Sequence, residues 1–277
     1  YQSVLDVATG KQSEPRFLWA GTGGAYPEAP HLFKRGRWYY LTLAEGGTAE
    51  GHMVTIARAT TPWGPFESCP HNPILTHRSL MNPVQATGHA DLFEDHRGQW
   101  WAVFLGYRYV EHGFHNLGRE TFLAPVSWTD EGWPVINRGE RVVLESECPE
   151  LPPPHPWPVA PVRDNFDRPA LDLSWVHLRN PDRENYSLER QDGLLSMRCA
   201  EASLDDPASP TFVARRQQHH VFSAAALLFF EPAHDNEEAG LAVYHAPLFH
   251  AEVVLTLRSG RRVAVVRRRL GPLADES

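Results

Sequence analysis

Residues 26–48 read YPEAPHLFKRGRWYYLTLAEGGT and carry the strongest fold signal in the chain. An apolar strand start precedes Gly36, and the aromatic and branched run WYYLTL follows it. This pattern predicts a β-hairpin. Just upstream, Pro27 and Pro30 enclose Glu28 and fix φ on either side of it, so we expect Glu28 on a stiff, extended segment at the mouth of a strand.

Glu28 has two interpretations at this stage. A general acid must deliver a proton to a leaving oxygen from a fixed position, and a stiff segment favours that role. The alternative is a solvated glutamate at a strand start, because glutamate is mostly a surface residue. The hairpin ends in residues 45–48, EGGT, where two glycines permit positive φ or close approach of a ligand. A plain tight turn fits these four residues equally well.

Strand–turn–strand units recur downstream, with tryptophan or glycine at the turns and no sustained helical period. We count about two or three such units before residue 150, fewer than the four to eight blades of closed propellers. Repeats of this kind predict an all-β chain, built as propeller blades or as a sandwich. The predicted strands after the first hairpin are Val54–Ala59, Trp100–Leu105, Thr121–Trp128, Pro134–Ile136, Ala251–Leu257 and Arg262–Arg269.

Four motifs, in chain order, resemble those of glycoside hydrolase family 43, the five-bladed β-propeller β-xylosidases and α-L-arabinofuranosidases. A fifth, SPTFVARRQ at 209–217, is similar to the β-sandwich appended to that family's xylosidases. The resemblance covers nearly the whole chain. It implies an all-β protein, with a partial five-bladed β-propeller followed by a partial concanavalin-A-like β-sandwich. The four motifs are YPEAPH at 26–31, AEGGT at 44–48, GHAD at 88–91 and LGRET at 117–121.

The domain boundary is predicted from composition. Residues 149–162 are rich in proline, which favours an extended and semi-rigid linker. We expect residues 1–148 to form the C-terminal blades of the propeller. Residues 163–277 are then the sandwich, which we expect to be truncated.

The resemblance also implies site residues, position by position. Glu28 is the general acid, His89 and Arg119 contact the sugar in the innermost subsite, Thr48 lines the same pocket, and Phe212 closes it from the sandwich. These roles are chemically reasonable, since a guanidinium can fork to two hydroxyls, imidazole exchanges one hydrogen bond, and an aromatic ring packs on a sugar face.

Without the resemblance, the same side chains have ordinary explanations. His89 is then a satisfied core histidine, and Phe212 is core packing within the sandwich. Arg119 is then an ion-pair partner of Glu120 or Glu111.

The chain departs from the family pattern at its beginning. The family places an aspartate general base and a pKa-tuning aspartate well before the glutamate, but only 27 residues precede Glu28. Asp6 is the sole aspartate among them, in a predicted outer strand and turn that match neither motif. Because inversion requires a carboxylate base, we expect a fragment of a longer enzyme that is inactive alone.

The expected function of the full-length protein is inverting hydrolysis that releases terminal xylose or arabinofuranose from hemicellulose oligosaccharides. The alternative is a non-catalytic carbohydrate-binding protein. The resemblance allows a homo-oligomer of the full-length protein and a central calcium ion, for which His89 is the nearest candidate ligand on this chain. No other cofactor and no metal motif is expected.

Composition restricts partners and compartment. A formal net charge of −8 argues against a nucleic-acid partner, and the chain has no apolar run of the length that spans a membrane. Cys69, Cys148 and Cys199 are odd in number and widely spaced, which fits a reducing compartment better than a disulfide scaffold. We therefore expect a cytoplasmic protein, with secretion as the alternative if the missing N-terminus carried a signal peptide.

Overall fold

The computed structural model describes residues 1–110, 113–149, 151–159 and 161–276. Two compact units divide the chain, Tyr1–His155 and a second that begins at Pro156, within the predicted linker. Regular structure in the described residues is almost entirely β-strand, with only short 3-10 turns besides, which confirms the predicted all-β class. No helix in these ranges is long and apolar enough to cross a membrane.

The first unit contains two antiparallel sheets, each of which follows chain order as a propeller blade does. The first sheet comprises β1 (Glu28–Arg35), β2 (Trp38–Glu45), β3 (Met53–Ala59), β4 (Glu67–Ser68) and β5 (Leu75–Thr76). The second comprises β6 (Val84–Glu94), β7 (Trp100–Arg108), β8 (Glu120–Trp128) and β9 (Pro134–Ile136). The first four strands pair in the order β1-β2-β3-β4, β5 also pairs with β3, and the second sheet has the order β6-β7-β8-β9.

The predicted hairpins of this unit are confirmed. β1 and β2 pair around Gly36, with His31 opposite Thr42, and β6 pairs with β7. Between the sheets, the Tyr40 and Trp128 rings meet edge to face with centroids 5.1 Å apart, and within the second sheet Trp128 meets Trp100 edge to face, also at 5.1 Å. Edge-to-face contacts add to the burial of these rings, so the strand tryptophans serve the core.

The strand register places four segments at two neighbouring sheet ends. Glu28 lies opposite Ala44, so the start of β1 lies beside the end of β2 and its connection to β3. Val84 lies opposite Arg108, so the start of β6 lies beside the end of β7 and its connection to β8. The first strands of the two sheets approach each other, with His31 Nδ1 3.5 Å from Asp91 Oδ1.

The first strand of each sheet, β1 and β6, is irregular where it begins. The register shifts between Glu28 and His31 in β1, and twice between Gln85 and Asp91 in β6. Bulges re-aim side chains and are frequent next to active sites, and left-handed backbone at non-glycine residues costs about 1–3 kcal/mol each. The left-handed residues here are Tyr26 (φ 53°), Ala29 (φ 49°), Ala86 (φ 53°) and His89 (φ 53°).

Two expectations about the N-terminal part are therefore wrong in detail. Tyr26 and Ala29, which precede the two prolines, are not extended, because the chain bulges around Glu28. The outer strand predicted near Asp6 is reduced to isolated bridges. The predicted turn is present, and the Asp6 carboxylate accepts hydrogen bonds from the Ala8 N–H (2.9 Å) and the Thr9 hydroxyl (2.7 Å).

The second unit has short strands followed by a regular sheet. β10 (Trp175–His177) pairs with β13 (Val213–Arg215), and β11 (Tyr186–Ser187) pairs with β12 (Ser196–Met197). The four remaining strands form an antiparallel sheet in chain order, and the hairpin predicted across 258–261 is confirmed. They are β14 (Ala239–Ala246), β15 (Phe249–Arg258), β16 (Arg261–Leu270) and β17 (Leu273–Glu276).

Candidate active site

Glu45, the last residue of β2, anchors the segment that leads to Glu28. Its side chain is completely buried, and its carboxylate accepts hydrogen bonds from the N–H groups of Thr22 (2.8 Å) and Gly24 (2.7 Å) and from two threonine hydroxyls. The next residue, Gly46, donates its N–H to Ala25 O at 2.7 Å. Hydrogen bonds to a buried carboxylate are among the stronger ones in proteins, so Glu45 fixes the loop just before Glu28.

Glu28 itself is exposed at the first position of β1. Among the described residues its carboxylate has no hydrogen bond and no ion pair. A carboxyl group with this freedom can meet a ligand. The loop held by Glu45 fixes the backbone that carries it.

His52 is the point on which the predicted site residues converge. Burial lowers the pKa of His52, and the carbonyl of Ala86 opposes that effect. His89 and Arg119 lower this pKa further, whereas Glu28 raises it. The charges of Glu28, His89 and Arg119 are therefore all within electrostatic range of one imidazole, and their contact with a sugar stays a prediction.

The His52 ring is fixed in one tautomer. It is 2% exposed, and its Nδ1 lies 3.1 Å from Ala86 O. A carbonyl only accepts, so Nδ1 carries the proton and Nε2 is a bare acceptor. Nε2 is buried with no hydrogen-bond partner among the described residues. Sequence reasoning missed His52, although a histidine directly before a fully buried strand was a signal for it.

Arg119 is exposed in the connection between β7 and β8, and among the described residues it forms no ion pair. The alternative pairing with Glu120 is wrong, because the two carboxylate oxygens of Glu120 accept from Arg108 Nε at 2.7 Å and from Arg108 Nη2 at 2.8 Å. The other alternative partner, Glu111, lies outside the described residues. His89 is exposed at its bulge, so it is not a core histidine.

Thr48 is exposed in the turn between β2 and β3, and its carbonyl accepts a hydrogen bond from the Tyr107 hydroxyl at 3.2 Å. It lies four residues before His52 in the same connection. Its contact with substrate stays a prediction, as do the roles of Glu28, His89 and Arg119.

Phe212 belongs to the second unit and is half-buried there. Its ring centroid is 5.8 Å from that of Tyr244, and its N–H donates to the Tyr186 hydroxyl oxygen at 2.8 Å. These contacts hold the residue before β13 in a defined place. Closure of the sugar pocket by Phe212 stays a prediction.

Calcium is a poor match for the side chains around His89. Calcium takes six to eight oxygen ligands, whereas this cluster offers two imidazoles and a guanidinium beside the single carboxylate of Glu28. Within the described ranges, no group of three histidine, cysteine, aspartate or glutamate side chains is arranged to hold a metal. These residues do not by themselves fit a calcium ion.

Comparison with known families identifies both units. Residues 1–134 match the model for glycosyl hydrolases family 43. This part of the chain belongs to that family. Residues 163–276 match the beta xylosidase C-terminal concanavalin A-like domain, so the family 43 unit is followed by the sandwich that the motifs indicated.

Curated relatives of this family 43 chain carry pentosidase names. A non-reducing end alpha-L-arabinofuranosidase of Bacteroides ovatus is 42% identical over 269 residues, which are 96% of this chain and 51% of that protein. A xylosidase/arabinosidase of Butyrivibrio fibrisolvens is 36% identical over 250 residues, 88% of this chain and 48% of that protein. The chain thus spans about half the length of the curated relatives it matches.

Solved structures show the same similarity. A Bacteroides ovatus protein described as xyloglucan PUL GH43B superposes with a TM-score of 0.88 at 40% identity, over 99% of this chain and 55% of that one. The xylan beta-1,4-xylosidase of Bacillus halodurans gives a TM-score of 0.88 at 33% identity, over 98% and 53%. The predicted family and fold class are confirmed.

Proposed function

We propose that the protein containing these 277 residues is an inverting glycosidase that releases terminal xylose or arabinofuranose from hemicellulose oligosaccharides. The observation that carries this proposal is the strand register, which brings the segments of Glu28, His89 and Arg119 to two neighbouring sheet ends, within electrostatic range of the buried ring of His52. A proton donor and two hydroxyl-binding groups, supplied by three separate segments, are one half of what an inverting glycosidase requires, the other half being a carboxylate base.

Each group has one task in the proposed reaction. Glu28 donates a proton to the glycosidic oxygen as the bond to the leaving sugar breaks. Arg119, which has no competing ion pair among the described residues, forks to two hydroxyls of the terminal sugar, and His89 exchanges a hydrogen bond with another. Glu45 keeps the Glu28 segment in place through its hydrogen bonds to Thr22 and Gly24.

Inversion needs a second carboxylate, on the far side of the sugar ring, to activate water. In inverting enzymes the two carboxyl groups are about 6.5–9.5 Å apart. Asp6 is unsuited to this role, because its carboxylate is engaged in a local turn. We propose that the base belongs to a segment of the protein outside residues 1–277.

The relatives support a pentose substrate without choosing between the two sugars. Their names include an alpha-L-arabinofuranosidase, a xylosidase/arabinosidase and, in Bacillus subtilis, a beta-xylosidase. Both sugars present hydroxyls to a guanidinium and an imidazole in a similar way.

The test is a substrate panel on the purified protein that contains this chain. We expect hydrolysis of aryl β-D-xylopyranoside or aryl α-L-arabinofuranoside, and little hydrolysis of the matching hexosides. Proton NMR of the first product should show the inverted anomer. Binding of pentosides without any turnover would favour the non-catalytic alternative, and a retained anomer would overturn the inverting mechanism.

A further inference from the structure

Three aromatic rings lie parallel at the connection between β7 and β8. The rings of Tyr107 and His115 have centroids 4.1 Å apart and an interplanar angle of 10°. Tyr109 is 5.8 Å from His115 at an angle of 4°. We call these three residues the ring cluster. His115 is exposed, so a ligand can reach the cluster.

Polar groups border the ring cluster. The Tyr109 hydroxyl donates to Glu50 Oε1 at 2.6 Å, and the Tyr107 hydroxyl donates to Thr48 O at 3.2 Å. Burial and the hydrogen bond to Glu50 raise the pKa of Tyr109 to about 12, so the phenol keeps its proton and Glu50 stays an acceptor. Flat aromatic rings edged by fixed oxygen atoms suit a ligand with one apolar face and hydroxyls at its rim, and a pyranose has that shape.

The ring cluster is joined to the Glu28 segment by direct contacts. The Tyr26 ring lies over Gly47, where a Cβ atom would be 3.6 Å from the ring. The next residue is Thr48, whose carbonyl binds Tyr107. The Glu28 segment and the ring cluster therefore both contact the turn between β2 and β3, at Gly47 and at Thr48 respectively.

We propose that the ring cluster, with Glu50 at its edge, binds the leaving-group sugar, the ring whose oxygen receives the proton from Glu28. This inference rests on the proposed function. A general acid lies between the two sugars that it separates. In the proposed function, His89 and Arg119 bind the terminal sugar. The ring cluster, which lies beside the Thr48 turn, is therefore assigned to the leaving-group sugar.

The test measures binding in a Glu28→Gln background, which prevents turnover. Calorimetry compares xylobiose and an arabinofuranosyl-xylose disaccharide with xylose and arabinose. His115→Ala is expected to weaken binding of the preferred disaccharide by about two- to ten-fold, the scale of one lost aromatic contact, and to leave the monosaccharide unchanged. His115→Phe should restore disaccharide binding, because it retains a flat ring.

His96→Ala is the matched control. His96 is also an exposed histidine, but it lies in the turn between β6 and β7, at the other end of the same sheet. It should change neither affinity. Unchanged disaccharide binding in His115→Ala, or equal weakening for both sugars, would overturn the inference while the proposed function stands. Failure of the parent protein to bind any of the four sugars would overturn the proposed function, and the inference with it.

Discussion

The imidazole of His52 lies so close to Gly88 that a Cβ at Gly88 would be 2.5 Å from three of its ring atoms. Only glycine fits there. Near this glycine in β6 are Ala86, whose carbonyl accepts a hydrogen bond from His52 Nδ1, and His89, which has a left-handed φ. The bulged strand that presents His89 is therefore shaped around His52, which makes His52 a positioning residue for the site.

Folding stability should fall as the pH drops below about 6.5. Burial lowers the pKa of both His52 and His77 from 6.5, so between that value and the folded-state pKa the unfolded chain binds more protons. The stability that these two neutral histidines contribute is complete above pH 6.5. It is lost as the pH falls from 6.5 through their pKa in the folded protein. Urea unfolding at pH 5.5, 6.5 and 7.5 measures it.

His52→Asn is the control for this pH dependence. Asparagine keeps an N–H donor for Ala86 O but does not titrate, so its free energy of unfolding should vary less with pH. Identical pH profiles for the two proteins would show that the neutral ring of His52 contributes nothing to the dependence.

Glu45→Gln should loosen the segment that carries Glu28. An amide replaces one acceptor oxygen of this buried side chain with a donor, so the N–H of Thr22 or of Gly24 loses its partner. We expect the free energy of unfolding to fall by about 1–3 kcal/mol and turnover to fall with it. Glu94→Gln, an exposed glutamate at the end of β6 with no ion pair among the described residues, is the control and should change neither quantity. Wild-type stability in Glu45→Gln would show that the carboxylate does not anchor the loop.

Phe212→Ala tests the role assigned to the sandwich. If Phe212 closes the pocket, substrate binding should weaken by about 1–3 kcal/mol with little change in melting temperature. If Phe212 instead packs within the sandwich, through its ring contact with Tyr244, we expect a loss of stability without a loss of substrate binding. A melting temperature lowered by several degrees with unchanged kinetics would assign Phe212 to the sandwich core.

Local sequence signals predicted much of the fold. The hairpins around Gly36 and across 258–261 follow from a turn residue between alternating strands, which depends only on neighbours in the chain. The grouping of Glu28, His89 and Arg119 came from motif order in a resembling family. The strand register brings those segments to neighbouring sheet ends, and the roles of the three side chains stay predictions.

Other features of the site depend on contacts that no local pattern encodes. Tyr109 and Glu50, which border the ring cluster, are 59 residues apart in sequence. The left-handed Ala29 contradicts the usual preference of a residue before proline, because the Glu45 anchor and the β1 bulge override it. His52 was missed for a similar reason, since its importance lies in the carbonyl of Ala86 and the close approach of Gly88.

The most direct test of the central claim is Glu28→Gln, assayed on two pentosides that differ only in leaving group. Loss of a general acid should slow the natural disaccharide by about 10²–10⁴-fold, because its leaving oxygen needs a proton. A dinitrophenyl pentoside leaves without one and should retain near wild-type turnover. Equal losses on both substrates, or no loss on the disaccharide, would contradict the assignment of Glu28 as the acid.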